Sequence, residues 1–260
     1  MKRITKFILN LTSVGSIVLI ATLNPSQFAV VKGAIPSVPD TPENPIPGGP
    51  RFIQPPEDID APPTGRRRSV RGKCGGLPEV SLIALMPENK IGRTVSDYPT
   101  FFFYLPQPNA ELAEFLLQDE NGNVIYQQDL TIKNLSGVIG ISIPANTNVP
   151  PLEVGKKYTW AFSLVCDPED RSGDKIESGV VRRVELSPDI LSELEKADPR
   201  QKTFIYAKNG IWQDALSNLA AARRANPNER VLKTDWESLL DSVTLREIAK
   251  EPIVEIKPQP

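Results

Sequence analysis

Between Gly76 and Leu186 the apolar positions fall in short runs rich in β-branched and aromatic residues, separated by turn residues at fairly even spacing. About seven strands follow from this pattern: Val80 to Leu85, Thr100 to Leu105, Glu114 to Gln118, Val124 to Gln128, Gly137 to Ile143, Lys157 to Cys166 and Gly179 to Leu186. The sharpest local signal is Asp119-Glu120-Asn121-Gly122-Asn123, where Asn121-Gly122 suits the positive φ values of a tight hairpin and makes the third and fourth strands antiparallel neighbours. In the sixth strand Tyr158, Trp160, Phe162, Leu164 and Cys166 recur at period two, so they share one face and belong to the core. Strands of this number and size suit two sheets that each bury one face.

After Leu186 the period changes to that of helices. Ser187-Pro188-Asp189 places a capping serine before a proline in the first turn, with Ile190, Leu191 and Leu194 at helical spacing. A second helix starts at Asp198-Pro199 and ends at Asn209-Gly210, where glycine suits the left-handed cap, and a third runs from Ile211 to Ala225. Tyr206, Gly210, Trp212, Ala215, Leu219, Ala222 and Pro227 fall at the spacings of a tetratricopeptide repeat, although Lys202 and Thr203 depart from it. A single such hairpin cannot bury its own apolar face, so it packs on the strands, on a further helix around Trp236 to Leu240, or on another protein. The fold class expected is mainly β: an antiparallel immunoglobulin-like β-sandwich at 74–186, then a C-terminal α-helical segment at 187–253 with a TPR-like hairpin, then a disordered tail at 254–260.

The amino end carries a different pattern. Lys2, Arg3 and Lys6 precede an uncharged, moderately apolar run from Phe7 to Leu23, so residues 1–34 read as a signal peptide. Asn10, Thr12, Ser13 and Ser16 make that run too polar for a comfortable span of about 20 apolar residues, and an uncleaved anchor is the weaker reading. Cleavage after Ala29 or Ala34 fits only loosely, because Gln27 and Lys32 stand where a small residue belongs. Residues 35–73 are rich in proline and glycine and poor in apolar side chains, the composition of a disordered linker. It ends in a basic run in which Arg66, Arg67, Arg68 and Arg71 are candidates for contact with a partner, or for weak attraction to an anionic membrane or wall surface.

Composition then narrows the chemistry. The chain has no histidine, which removes the usual general base near neutral pH, the Ser-His-Asp triad and histidine-held zinc. Its net charge is only -2, which disfavours nucleic acid. The densest polar cluster is Asp167, Glu169, Asp170 and Asp174 in the turn after Cys166. Such oxygens suit calcium, but the spacing fails the helix-loop-helix pattern, and a turn built by Asp, Pro and Gly with Arg171 paired to a neighbour is the better account. No metal, cofactor or catalytic residue is therefore assigned. Two classes remain: a non-enzymatic binding or adaptor module of the cell envelope that meets another envelope or secreted protein through the basic arm or through Tyr206 and Trp212, and a carboxylate hydrolase of wall or polysaccharide material using Glu169, Asp170 and Asp174. The first is favoured, because adjacent turn residues rarely straddle a substrate.

Several motifs in order are familiar: Gly65-Arg66-Arg67-Arg68 ahead of Cys74, Tyr98-Pro99-Thr100-Phe101-Phe102-Phe103-Tyr104, Leu117-Gln118-Asp119-Glu120-Asn121-Gly122-Asn123, Pro151-Leu152-Glu153-Val154-Gly155-Lys156, Phe162-Ser163-Leu164-Val165-Cys166-Asp167-Pro168-Glu169-Asp170-Arg171-Ser172, and Gly210-Ile211-Trp212-Gln213-Asp214-Ala215-Leu216 before Arg223-Arg224-Ala225-Asn226-Pro227. Together they make the chain resemble the cyanobacterial family called domain of unknown function 928, over roughly Arg66 to Ile253. The resemblance implies an exported protein of cyanobacterial type and carries no activity or catalytic residue.

An exported chain whose only cysteines are Cys74 and Cys166 is expected to join them in a disulfide, placed in the periplasm or outside the cell. On the chain-entropy model a loop of that length stabilises the fold by about 4 to 5 kcal/mol. Thiol titration of the unfolded, unreduced protein should find no free thiol, and both should appear after reduction; free thiols before reduction would remove the bond.

Overall fold

The computed structural model describes residues 48–59, 68–69, 82–106, 110–145 and 148–256. The expected signal segment, the residues from 257, Cys74 and the arginines at 66, 67 and 71 lie outside them. Among the described residues no helix is long and apolar enough to cross a membrane.

The strands are β1 (Arg68–Ser69), β2 (Ile83–Ala84), β3 (Ile91–Thr94), β4 (Thr100–Leu105), β5 (Leu112–Gln118), β6 (Val124–Thr131), β7 (Gly137–Ser142), β8 (Lys157–Val165), β9 (Lys175–Arg183) and β10 (Ile253–Val254). The helices are α1 (Pro56–Ile59), α2 (Pro188–Lys196), α3 (Pro199–Lys208), α4 (Trp212–Ala225) and α5 (Arg230–Asp241). A six-stranded sheet runs β1-β9-β8-β5-β6 with β3 also on β9, and a four-stranded sheet runs β10-β7-β4-β2. The protein is mainly β.

Aromatic rings join the sheets. In β8 the side chains of Tyr158, Trp160, Phe162 and Leu164 are all buried, as period two requires. Phe103 of β4 stacks on Phe162 at 4.4 Å and meets Trp160 edge-on at 5.6 Å, while Phe101 of the same strand lies 5.0 Å from Phe115 of β5. Alternate residues of β4 thus fill the space between the sheets. Phe102 and Tyr104 are buried on the other face, so β4 reads as a continuous apolar run because both of its sides are covered. Gly140 stands directly across from Phe102 in β7, where a Cβ would come within 3.0 Å of the ring.

Both sheets are mixed, which corrects the expected antiparallel arrangement: β3 runs parallel to β9, and β10 runs parallel to β7. Neither strand follows from local pattern, since β3 carries Gly92 and Arg93 and β10 has two residues. The β5–β6 hairpin is antiparallel, but only Gly122 of its turn has a positive φ, +83°, and Asn121 does not. Asp119 supplies the rest, its Oδ1 accepting from the backbone N–H groups of Asn121 and Asn123 at 2.9 and 2.8 Å. β9 begins four residues earlier than the pattern indicates, because its first residues pair with β1 and β8.

Helix ends follow their caps. Asp198 and Gln201 form a reciprocal capping box on α3, and Gly210 closes the α3–α4 turn with φ +72°. Ser187 holds the cap position of α2 without making a side-chain cap bond. Helices α3 and α4 pack on each other, and α4 packs in turn on β3 and β4.

The stretch 48–59 departs from the expected linker. Phe52 packs its ring against the core and lets the stretch lie across the helices as a strap: Phe52 N–H donates to Ser242 Oγ at 3.0 Å, Ile53 N–H donates to the Ala207 carbonyl at 3.1 Å, and the Phe52 ring meets Trp212 edge-on at 5.1 Å. Arg93 Nε then holds Asp58 Oδ2 at 2.7 Å. Arg68–Ser69, also expected in the linker, pairs with β9 as β1, and β10 takes residues assigned to the helical segment and tail.

Trp212 is fully enclosed, and its Nε1–H donates to the Leu85 carbonyl at 2.8 Å. Trp212→Phe should therefore lower the unfolding free energy by about 1 to 3 kcal/mol, because a buried carbonyl loses its donor. Chemical denaturation against the parent protein checks this, with an unchanged slope showing that the folded state is the same.

Candidate functional site

The acidic turn between β8 and β9 satisfies itself. Asp170 Oδ1 accepts from Ser172 N–H at 3.0 Å and opens a short 3₁₀ turn, Arg171–Gly173, while Asp167 Oδ1 accepts from Glu169 N–H at 2.9 Å. The bonds from Ser172 hold the Asp170 carboxyl below its ordinary range. Asp174 is buried, accepting from Cys166 N–H at 3.1 Å and from Arg171 Nε at 2.5 Å. Glu169 and Asp170 are exposed on the same turn, so these carboxylates do not face one another across a substrate-sized gap. Among the described residues no group of three or more Asp, Glu, Cys or His is placed to hold a metal ion. Cys166 lies half-buried just past β8, and its expected partner is outside the described residues.

The candidate contact residues separate. Trp212 is core, so its ring presents nothing to a partner; it holds α4 to the sheet. Arg68 is in β1 opposite Ile176. Tyr206, half-buried on α3, lines a cleft of about 200 Å³ where the start of α4 meets the β3–β4 connection.

That cleft is built by a loop fastened to a helix N-terminus. Asp214, in the first turn of α4, accepts from Thr94 Oγ1 at 2.8 Å and from Val95 N–H at 3.1 Å, both on Oδ2. Thr94 Oγ1 also accepts from Ser96 N–H at 3.1 Å, and Ser96 Oγ accepts from Tyr98 N–H at 3.1 Å, so the connection is pinned residue by residue. Around this anchor stand Tyr98, Thr100, Tyr206, Gln213, Ser217 and Asn218. Burial raises the Asp214 carboxyl from 3.8 to about 6, partly offset by the bonds from Thr94 and Val95. Burial first and the Asp214 charge second push the Tyr206 phenol up as well. None of the lining residues is Lys or Arg.

A second concavity, about 490 Å³, lies along α2 and α3. Ala197, Phe204 and Ile205 form its apolar part, and Glu193, Lys196 and Lys208 its charged rim. Arg200 stands over the Phe204 ring at 5.0 Å while reaching buried Asp235 through two bonds of 2.5 and 3.0 Å. Lys208 pairs with Glu193 at 2.7 Å. Leu191 on α2 is 47% exposed.

Sequence reasoning missed the Asp214 cleft. Its groups come from β3, the β3–β4 connection, α3 and α4, so no single window holds them. The available signal was Gln213-Asp214, a polar pair directly after a tryptophan that opens a helix.

Because the folded state raises the Asp214 pKa, the stability this group adds is full below about 4 and is lost as pH rises through about 6. Asp214→Asn keeps an oxygen for Thr94 and Val95 without the charge. The variant should gain on the parent between pH 4 and 7 by up to roughly 3 kcal/mol; parallel stability curves across that range would show that Asp214 titrates normally.

No curated protein matches the chain. A family model does, over residues 64–253, which takes in β1 to β9 and α2 to α5 and reaches the first residue of β10. The chain belongs to the family described as Domain of Unknown Function (DUF928).

Proposed function

We propose that this protein is a non-enzymatic binding or adaptor module of the cell envelope, which contacts another envelope or secreted protein through its helical segment. In this reading the two sheets are an immunoglobulin-like scaffold and α3–α4 a TPR-like hairpin. The basic run with Arg66, Arg67, Arg68 and Arg71 adds a second, electrostatic contact to that partner or to an anionic surface. Export rests on Lys2, Arg3 and Lys6 before the uncharged run Phe7 to Leu23.

The observation that carries the reading is the α2–α3 groove. It combines an aromatic and aliphatic floor with a rim of both charge signs, contributed by Glu193, Lys196 and Lys208. Apolar centres with polar rims are the anatomy of protein contact surfaces. An Arg stacked on Phe204 and fixed by Asp235 is already ordered, so less side-chain entropy is lost when a partner docks.

A photo-crosslinking residue at position 196, exposed on the groove rim, in the full chain expressed in its own envelope, should give a discrete adduct with one protein. The same residue at exposed Gln127 on β6 should not. Equal or absent adducts at the two positions would overturn the helical contact.

A further inference from the structure

We propose that the cleft between α4 and the β3–β4 connection is a binding site for a neutral, polyhydroxylated ring: one sugar unit, free or at the end of a chain. The argument starts from hydrogen-bonding capacity that the protein leaves unused. Gln213 is only 3% exposed, and among the described residues its side-chain amide makes no hydrogen bond although it lines the cleft. Polar groups this deep normally have a partner, and solvent or a ligand in the cleft is what remains to supply one. Three further groups point to the same place. Both bonds to Asp214 fall on Oδ2, which leaves Oδ1 to accept, and the hydroxyls of Tyr206 and Ser217 make no hydrogen bond among the described residues.

The chemistry of these groups selects the ligand class. A carboxylate oxygen only accepts, an amide both donates and accepts, and a hydroxyl does either. A ligand hydroxyl can donate to Asp214 while accepting from Gln213 or Tyr206, so a ring bearing several hydroxyls uses all of them together. An anionic ligand would meet Asp214 with no Lys or Arg in the lining to compensate. An ammonium ligand would use Asp214 and leave the donors of Gln213 facing a cation. Tyr98 and Tyr206 add rings against which the apolar face of a sugar can lie. At about 200 Å³ the cleft is smaller than the roughly 300 Å³ at which drug-sized pockets begin, so it takes a single unit. This site is separate from the α2–α3 contact, and an absence of crosslinks at position 196 leaves it untouched.

Saturation-transfer NMR on the full chain tests the proposal, with glucose, galactose, N-acetylglucosamine and their methyl glycosides as neutral probes, and glucuronate and glucosamine as charged ones. Neutral probes should receive saturation at millimolar concentration. Methyl glycosides that bind as well as the free sugars indicate recognition of a chain end; loss on methylation indicates a free sugar. Tyr206→Phe, Ser217→Ala and Gln213→Leu should each weaken binding about tenfold, while Gln127→Ala on β6 leaves it unchanged. Thermal midpoints of all variants identify any that fail to fold, and Tyr206→Phe and Ser217→Ala remove single hydroxyls, which keeps the test intact if Gln213→Leu does not fold. No transfer to any neutral probe, transfer only to glucuronate or glucosamine, or binding that survives all three cleft substitutions would overturn the assignment.

Discussion

Where the helices meet the sheets, the indole of Trp212 occupies a space that three parts of the chain share. Its N–H is spent on the Leu85 carbonyl beside β2, its ring carries the edge of Phe52 from the strap, and its backbone begins α4. A large, flat side chain at zero exposure fixes distances in all directions at once, because packed interiors leave no slack for it to shift. The next two residues, Gln213 and Asp214, are thereby carried to the β3–β4 connection. The cleft owes its geometry to a core residue as well as to the loop that Asp214 fastens.

Much of the β architecture was legible because its signals are local. Strands β4 to β8 are long and alternate or run apolar, and the Asp119–Asn123 turn carries its own hydrogen bonds. Helices α3 and α4 are bracketed by Asp198, Gly210 and Asn226, residues whose backbone preferences act within a few positions. What escaped depends on contacts distant in sequence. β3 is a strand because β9 lies beside it, β10 because β7 does, and the strap is ordered because Phe52 and Ile53 find the helices, which no property of a proline-rich stretch announces.

The candidate site follows the same division. Asp167, Glu169, Asp170 and Asp174 stood out because they are crowded in sequence, yet that crowding builds a turn whose carboxylates are mostly committed to nearby N–H groups and Arg171. The cleft gathers one carboxylate, one amide and several hydroxyls from separate elements, each unremarkable alone. Trp212 matched a repeat motif as a contact candidate, but the position that makes it fit the motif is also the one that buries it. Tyr206, from the same motif, keeps its hydroxyl at the cleft.

The parallel pairing of β10 with β7 also bears on the order in which the chain assembles. Val138 N–H donates to the Pro252 carbonyl at 2.7 Å, across a sequence separation that spans every helix from α2 to α5. Until Ile253 and Val254 arrive, β7 is an open edge rich in Val and Ile, the kind of surface that recruits other chains. Helices α3 and α4 close locally and early, whereas this sheet is completed by its most distant contact, so its closure comes late in folding. Synthesis from the amino end imposes the same sequence, leaving that edge of β7 without its neighbour until Ile253 and Val254 have been made.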